Sequence, residues 1–297
     1  MNTNPQDTLK QLAKEKEFFI GIDSDGCAFD SMELKHKECF CPNFIKIFEL
    51  QNISKYARET WDFVNLYSRT RGCNRFLAVL EAFRLLQERD EVKARQVKLQ
   101  DLTPLKEWTE QETKLGEPVL REYARQVNNS VIDLALQWSR AVNDTVAEMV
   151  YGVPPFPWLR KSLQKLSVRA DAIVVSQTPV EALEREWKEN NIDQFVKIIA
   201  GEEYGKKSEH LALAAGGKYD NDKILMIGDA PGDYKAAAQN NILFYPINPG
   251  HEEKSWERFY NEALDKFFDG SFSGAYQDKL LEEFNAYLPE TPPWKKK

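Results

Sequence analysis

Two aspartates one residue apart, Asp23 and Asp25, follow the apolar run FFIGI in the stretch EFFIGIDSDGCAFDS, residues 17–31. A carboxylate fixed at the end of a buried strand can attack phosphorus, splitting one hard displacement into two easier ones. A second carboxylate, one residue beyond the intervening Ser24, can protonate a leaving alkoxide and then take a proton from water. Gly26 lets the chain turn sharply and leaves amide donors to face phosphoryl oxygens. Taken alone, DSDG is equally an Asx-type turn, so its chemistry depends on what converges with it.

Three more apolar runs end in residues of the same kind. DAIVVS ends in Ser176, whose hydroxyl can donate to a phosphoryl oxygen, although a strand-end serine before Thr-Pro is also an ordinary helix cap. KIIAGEEYGKK leads to Lys206 and Lys207. One lysine must balance the charge of a transferring phosphoryl group and of Asp23. Lys207, next to a helix start, is the choice, with Lys206 a rival that spacing does not separate. ILMIGDAPGD supplies Asp229 and Asp233. Carboxylates of Asp23 and Asp229 meeting at strand ends repel unless a cation lies between them, and an all-oxygen set beside a phosphoryl group favours Mg²⁺. Asp233, in the first turn of the next helix, either supports that cation or serves its own helix N-terminus.

The elements that must position these residues follow from hydrophobic periodicity. FFIGI, ADAIVVSQT, QFVKIIAG, KILMIGD and ILFYPINPG read as strands. Between them PWLRKSLQKL, PVEALEREWKENN, KSEHLALAAGG and DYKAAAQNN read as helices. Strand–helix alternation predicts a Rossmann-like α/β fold, a parallel sheet with helices on both faces and ligands beyond its carboxyl ends. From Phe29 to about Ser167 apolar residues instead recur at helical spacing, enough for four to six helices. The expected organisation is therefore residues 1–30 and 168–297 as an α/β core with a C-terminal extension, split by a helical cap domain at 31–167. Residues 1–16 read as a loose lead-in or short helix, and PETPPWKKK as an exposed end.

The totals limit the function classes. With 297 residues, 42% hydrophobic and 12% aromatic, the chain can bury a sizeable core and is not globally disordered. A formal charge of −7 argues against nucleic acid as the main partner, and no basic–aromatic stripe supports one. No apolar run approaches the roughly 20 residues of a membrane span. Cys27, Cys39, Cys41 and Cys73 include a C-x-C pair without a second pair at zinc spacing, so they read as reduced thiols of a cytoplasmic protein.

The set DSDG (23–26), VVSQT (174–178), the Lys-Lys-Ser step (206–208) and GDAPGD (228–233) resembles the haloacid dehalogenase-like hydrolase superfamily in order and in the apolar strands before its motifs. The resemblance spans about 17–30 and 168–250. It implies Asp23 as nucleophile, Asp25 as acid/base, and Ser176 and a lysine around the phosphoryl group. It also implies Mg²⁺ held by the Asp23 carboxylate, the Asp25 backbone carbonyl and Asp229, with Asp233 in support. An aspartate at the second position, as at Asp25, marks members that hydrolyse phosphate esters rather than dehalogenases. Cys27 departs from the threonine usual after D-x-D-G; small and polarizable, it fills the same space.

In that superfamily a helical block between the first two motifs is similar to a C1-type cap, which excludes water and selects the leaving group. Within it YSRTRGCNRF places Arg69, Arg71 and Arg75 around Gly72, as substrate anchors or as a solvated basic turn. The expected function is a Mg²⁺-dependent phosphomonoester hydrolase working through an aspartyl-phosphate on a small phosphorylated metabolite. The alternatives are a phosphomutase, a phosphonate hydrolase using an imine-forming lysine such as Lys35 or Lys37, and a binding or scaffold protein built on a hydrolase core. Nothing in the sequence sets the oligomeric state.

Overall fold

A computed structural model of the chain describes residues 4–295. It divides into two compact units, Met1–Ser31 with Gly152–Pro289, and Met32–Tyr151 with Glu290–Lys297.

The first unit is built on five strands, β1 (Phe18–Ile22), β2 (Ala170–Val175), β3 (Ile198–Ala200), β4 (Ile224–Gly228) and β5 (Leu243–Pro246). They are ordered β3-β2-β1-β4-β5 and every pairing is parallel. β1, β2 and β4 are buried along their whole length. That is why they read as continuous apolar runs and not as alternating patterns.

Successive side chains of these strands feed two cores. Phe18, Ile20, Ile22, Val174 and Ile227 pack on one face with Leu159, Leu163, Trp187, Trp256 and Phe267. Phe19, Ile173, Val175, Met226 and Phe244 pack on the other with Leu9, Leu211, Ala214, Ala236 and Phe284. The C-terminal extension therefore supplies both faces, Trp256 to one and Phe284 to the other.

Three sequence expectations shift, and the short helix allowed for in the lead-in forms at Pro5–Lys10. The helix Leu159–Leu166 belongs to the sheet-bearing unit and not to the insertion, because Leu159, Leu163 and Leu166 enter its first core. QFVKIIAG shortens to a three-residue strand, as Asp193–Phe195 forms a single 3₁₀ turn before it. The lead-in is tied down. Leu9 of the helix Pro5–Lys10 is fully buried, and the N–H groups of Glu15 and Lys16 donate to Asp171 Oδ2 at 2.8 and 2.9 Å. The end is not free either: within the second unit Pro292 is buried, and the Trp294 ring meets Phe63 edge-on at 5.5 Å and lies 4.3 Å from the Arg89 guanidinium. Lys296 and Lys297 lie outside the described residues.

The second unit is helical. A run over 31–47, with a π turn at Lys35–Phe40, precedes six further helices among the described residues. That is one piece more than periodicity predicts, because extended Arg89 (φ −68°, ψ 128°) breaks Arg75–Glu88 from the short Asp90–Ala94. Its core is aromatic, with Trp61 against Phe44 at 4.7 Å, Trp61 against Trp138 at 5.8 Å and Phe76 against Trp108 at 5.1 Å. Among the described residues no helix is long and apolar enough to cross a membrane.

Candidate active site

The backbone of β1 runs one residue past the strand, with Asp23 N–H donating to Ile227 O at 3.0 Å. Asp23 therefore leaves the sheet in register with the end of β4, where Asp229 follows Gly228. The next helix, Pro231–Gln239, carries Asp233 in its first turn. One carboxylate oxygen from each of Asp23, Asp229 and Asp233 lies within 4.8 Å of the others, and all three residues are buried. Gly228 is what allows the approach: a Cβ there would stand 2.4 Å from the Asp233 side chain.

Lys207 opens the helix Lys207–Ala215 and reaches across this cluster. Its Nζ lies 2.7 Å from Asp23 Oδ2 and 2.6 Å from Asp233 Oδ1. Lys206 is exposed, and its N–H donates to Glu209 Oε2 at 2.8 Å to cap the helix. Of the two candidate lysines, the fold brings Lys207 to the carboxylates. Asp233 does both things considered for it, since its Oδ2 also accepts from Ala230 N–H at 3.1 Å at the helix start.

Charge in the cluster is not balanced. Burial, reinforced by the Asp233 charge, pushes the Asp23 carboxyl well above the usual carboxylate range, against the pull of Lys207. Burial works to lower the Lys207 pKa, but Asp23 and Asp233 outweigh it and hold the ammonium above its ordinary value. Three buried carboxylates face one ammonium, an arrangement that a second positive charge would relieve. The donors are hard oxygens, so the site fits a small divalent cation such as Mg²⁺ better than a thiophilic metal.

Asp25 stands at a tight loop. Gly26, at φ +75°, donates its N–H to Phe29 O at 2.9 Å, and Ser24 O accepts from the N–H groups of Cys27, Ala28 and Phe29. The Asp25 carboxylate accepts from Ser31 Oγ on one oxygen and from Thr178 Oγ1 at 2.7 Å on the other. Ser176 is buried at the end of β2 and accepts from Thr178 N–H at 3.2 Å, the turn-capping contact, which leaves its own proton to donate. Burial pushes the Cys27 thiol well up, with Asp229 and Asp23 adding to it, and its Sγ lies 3.8 Å from Ile227 O. Cys27 is therefore a neutral packing group.

The arginine trio lies in the helical unit and its members are held differently. Arg69 is exposed. Arg71 is buried, with Nη1 donating to Leu66 O at 2.8 Å. Arg75 donates to Asn143 Oδ1 at 2.7 Å and Ser139 Oγ at 3.1 Å, and its guanidinium lies 5.1 Å from the Phe40 ring.

Sequence reasoning missed Ser31 and Thr178 as partners of Asp25. Thr178 was masked because ADAIVVSQT reads as strand to its last residue, whereas the strand ends at Val175. It also missed the groups that grip the loop from outside. Trp187 Nε1 donates to Ser24 Oγ at 3.0 Å, and Trp256 Nε1 donates to Cys27 O at 2.7 Å. Separations of 163 and 229 residues leave no local signal for either.

No protein-family model matches the chain, and no curated protein matches it. Solved structures do. A candidate phosphoglycolate phosphatase from Lactobacillus delbrueckii subsp. bulgaricus aligns over 88% of this chain and 100% of its own, at 14% identity and a TM-score of 0.50. A haloacid dehalogenase-like family hydrolase from Xanthomonas campestris aligns over 89% and 97%, at 10% identity and a TM-score of 0.46. Another from Streptococcus pneumoniae aligns over 82% and 90%, at 17% identity and a TM-score of 0.43. By the order of its parallel strands and its likeness to the first of these, the chain has the haloacid dehalogenase-like fold.

Proposed function

We propose that the protein is a Mg²⁺-dependent phosphomonoester hydrolase acting through an aspartyl-phosphate. The observation that carries this reading is the convergence of Asp23, Lys207, Asp229 and Asp233 at the carboxyl ends of β1 and β4, beside an Asp25 carboxylate held by two hydroxyls.

In this reading Asp23 attacks phosphorus as the bond to the ester oxygen breaks, and Asp25 gives that oxygen its proton. Asp25 then takes a proton from water, the water attacks phosphorus, and the acyl–phosphate bond breaks to return Asp23 and release inorganic phosphate. Lys207 works against the burial that disfavours the ionised Asp23 and offsets charge on the transferring group. Ser176 donates its hydroxyl proton to a phosphoryl oxygen, whereas the amides of Gly26, Cys27, Ala28 and Phe29 are spent on closing the turn. Asp23, Asp229 and the Asp25 carbonyl would hold Mg²⁺, with Asp233 in support; once bound, it supplies positive charge against the phosphoryl oxygens. As substrate anchors, Arg71 and Arg75 would have to give up Leu66 O and Asn143 Oδ1, and Arg69 is the exposed member of the trio. The solved structure of a candidate phosphoglycolate phosphatase agrees with a small phosphorylated metabolite as substrate.

The test is phosphate release from a panel of small phosphomonoesters, with and without Mg²⁺, for the parent chain and Asp23→Asn. Metal-dependent release that vanishes in the variant supports the reading. A folded parent that binds Mg²⁺ and releases nothing from any ester would overturn it in favour of a mutase or a binding protein.

A further inference from the structure

Ser24, the residue between the two catalytic candidates, is completely buried and is the joint of the loop. Its N–H donates to Asp23 Oδ1 at 2.8 Å, so it orients the nucleophile. Its carbonyl accepts the N–H groups of Cys27, Ala28 and Phe29 at 3.2, 2.8 and 3.1 Å, so it closes the turn that presents Asp25. Its hydroxyl faces the helix Val180–Glu189, accepting from Trp187 Nε1 at 3.0 Å and donating to Glu186 Oε2 at 3.3 Å. Three residues further along, Cys27 O accepts from Trp256 Nε1 at 2.7 Å.

Both tryptophans are fully buried, and Phe29, at the far side of the loop, meets the Trp187 ring edge-on at 5.9 Å. An indole has one polar atom, a donor, so burying two of them with both donors aimed at one six-residue turn fixes that turn from two sides. Trp187 comes from the helix after β2 and Trp256 from the C-terminal extension.

We infer that Trp187 and Trp256 are positioning residues for the Asp23–Asp25 pair, Trp187 through the Ser24 hydroxyl and Trp256 through the Cys27 carbonyl. This inference rests on the hydrolase reading for its rate effects. Without the two indole N–H groups the turn keeps its sequence but loses its outer anchors, and Asp25 shifts relative to Asp23. Displacements of about 1 Å at such a site cost up to roughly 10²-fold in rate.

The experiment is a double-mutant cycle of Trp187→Phe and Ser24→Ala, with Trp256→Phe alongside, all in the full chain. Phenylalanine keeps most of the packing and removes the donor. Each single variant should lower kcat about tenfold with KM within about twofold, and the Trp187→Phe/Ser24→Ala pair should be no slower than the worse single, because both break one contact. Fully multiplicative losses, or losses that simply track melting temperature, would overturn the inference. Indole N–H hydrogen exchange, assigned from the two Trp→Phe variants, gives a readout independent of turnover. Ser24→Ala should speed exchange at Trp187 at least about tenfold and leave Trp256 unchanged. If the parent releases no phosphate, the hydrolase reading fails by itself, and unchanged Trp187 exchange in Ser24→Ala would then sink the clamp as well.

Discussion

Lys207, largely buried in the sheet-bearing unit, and Arg89, buried in the helical unit, each hold two carboxylates, yet the partners live in opposite surroundings. The side chains of Asp23 and Asp233, which hold Lys207, are only 6% and 0% exposed. Glu59 and Glu91, which hold Arg89, are about two-fifths exposed, and the Arg89 plane is covered by Tyr56 at 4.8 Å and Trp294 at 4.3 Å. Around Arg89 only the cation is desolvated, its fork is engaged, and its faces lie on aromatic rings, a combination that arginine tolerates well. Around Lys207 the anions are desolvated too, and a third carboxylate adds to them, so one ammonium faces more buried carboxylates than it can pair. Folding has no use for that excess. Chemistry on a phosphoryl group does.

The sharpest way to test this difference is to remove Lys207 and its neighbour separately. Lys207→Met should lower kcat for phosphate release by about 10²–10³-fold, the usual cost of losing one preorganised charge at a reacting group. Lys206→Met, which removes an exposed side chain while the helix-capping N–H stays, should remain within about twofold. Equal losses in steady-state assays would mean that the Lys207 contacts do not define the site.

The first link of this argument was legible in the sequence, since strands buried on both faces are apolar throughout and their carboxyl ends are marked by Asp23, Ser176 and Asp229. The boundary of the insertion was less so. Leu159, Leu163 and Leu166 have the same helical spacing as the helices before them, and periodicity does not say which core a face will enter. The choice between Lys206 and Lys207 was invisible for a related reason: neighbouring residues point about 100° apart on a helix, and only the placed helix shows which one meets the carboxylates. Trp187 and Trp256 could not be read at all, because their contacts with Ser24 and Cys27 come from packing between distant elements. Trp294 was hidden by composition, in a Pro- and Lys-rich end that resembles a solvated tail but docks by one ring.

Two stability measurements separate the units further. His210, fully buried on the Lys207 helix, has its pKa lowered by burial to about 4. An unfolded histidine titrates near 6.5, so between those values the unfolded chain binds the extra proton and stability falls as pH falls. The contribution is fully present above about pH 6.5 and is lost progressively down to about pH 4, amounting to about 3 kcal/mol. Urea unfolding of the parent and His210→Leu across that range should show a flatter pH dependence in the variant by that amount. Parallel curves would mean that the imidazole is protonated where it lies. In the helical unit, Arg89→Met should cost about 2 kcal/mol by loss of charged hydrogen bonds, with phosphate release unchanged. A cost below about 0.5 kcal/mol would remove Arg89 as the structural counterpart of Lys207.

The smallest expected effect is also the one whose sign decides the comparison. Asp229→Asn replaces one of three clustered buried carboxyl groups by a neutral amide of the same shape. If the excess charge serves catalysis at the expense of folding, the variant should be more stable than the parent in chelator, by about 1 kcal/mol or 2–4 °C in melting temperature. Added Mg²⁺ should then raise the parent's melting temperature and move the variant's much less, because only a competent site gains stability from its ligand. A variant that melts lower in chelator would show that the Asp229 charge is compensated within the fold. The Lys207 cluster would then be a structural ion-pair network of the same kind as Arg89.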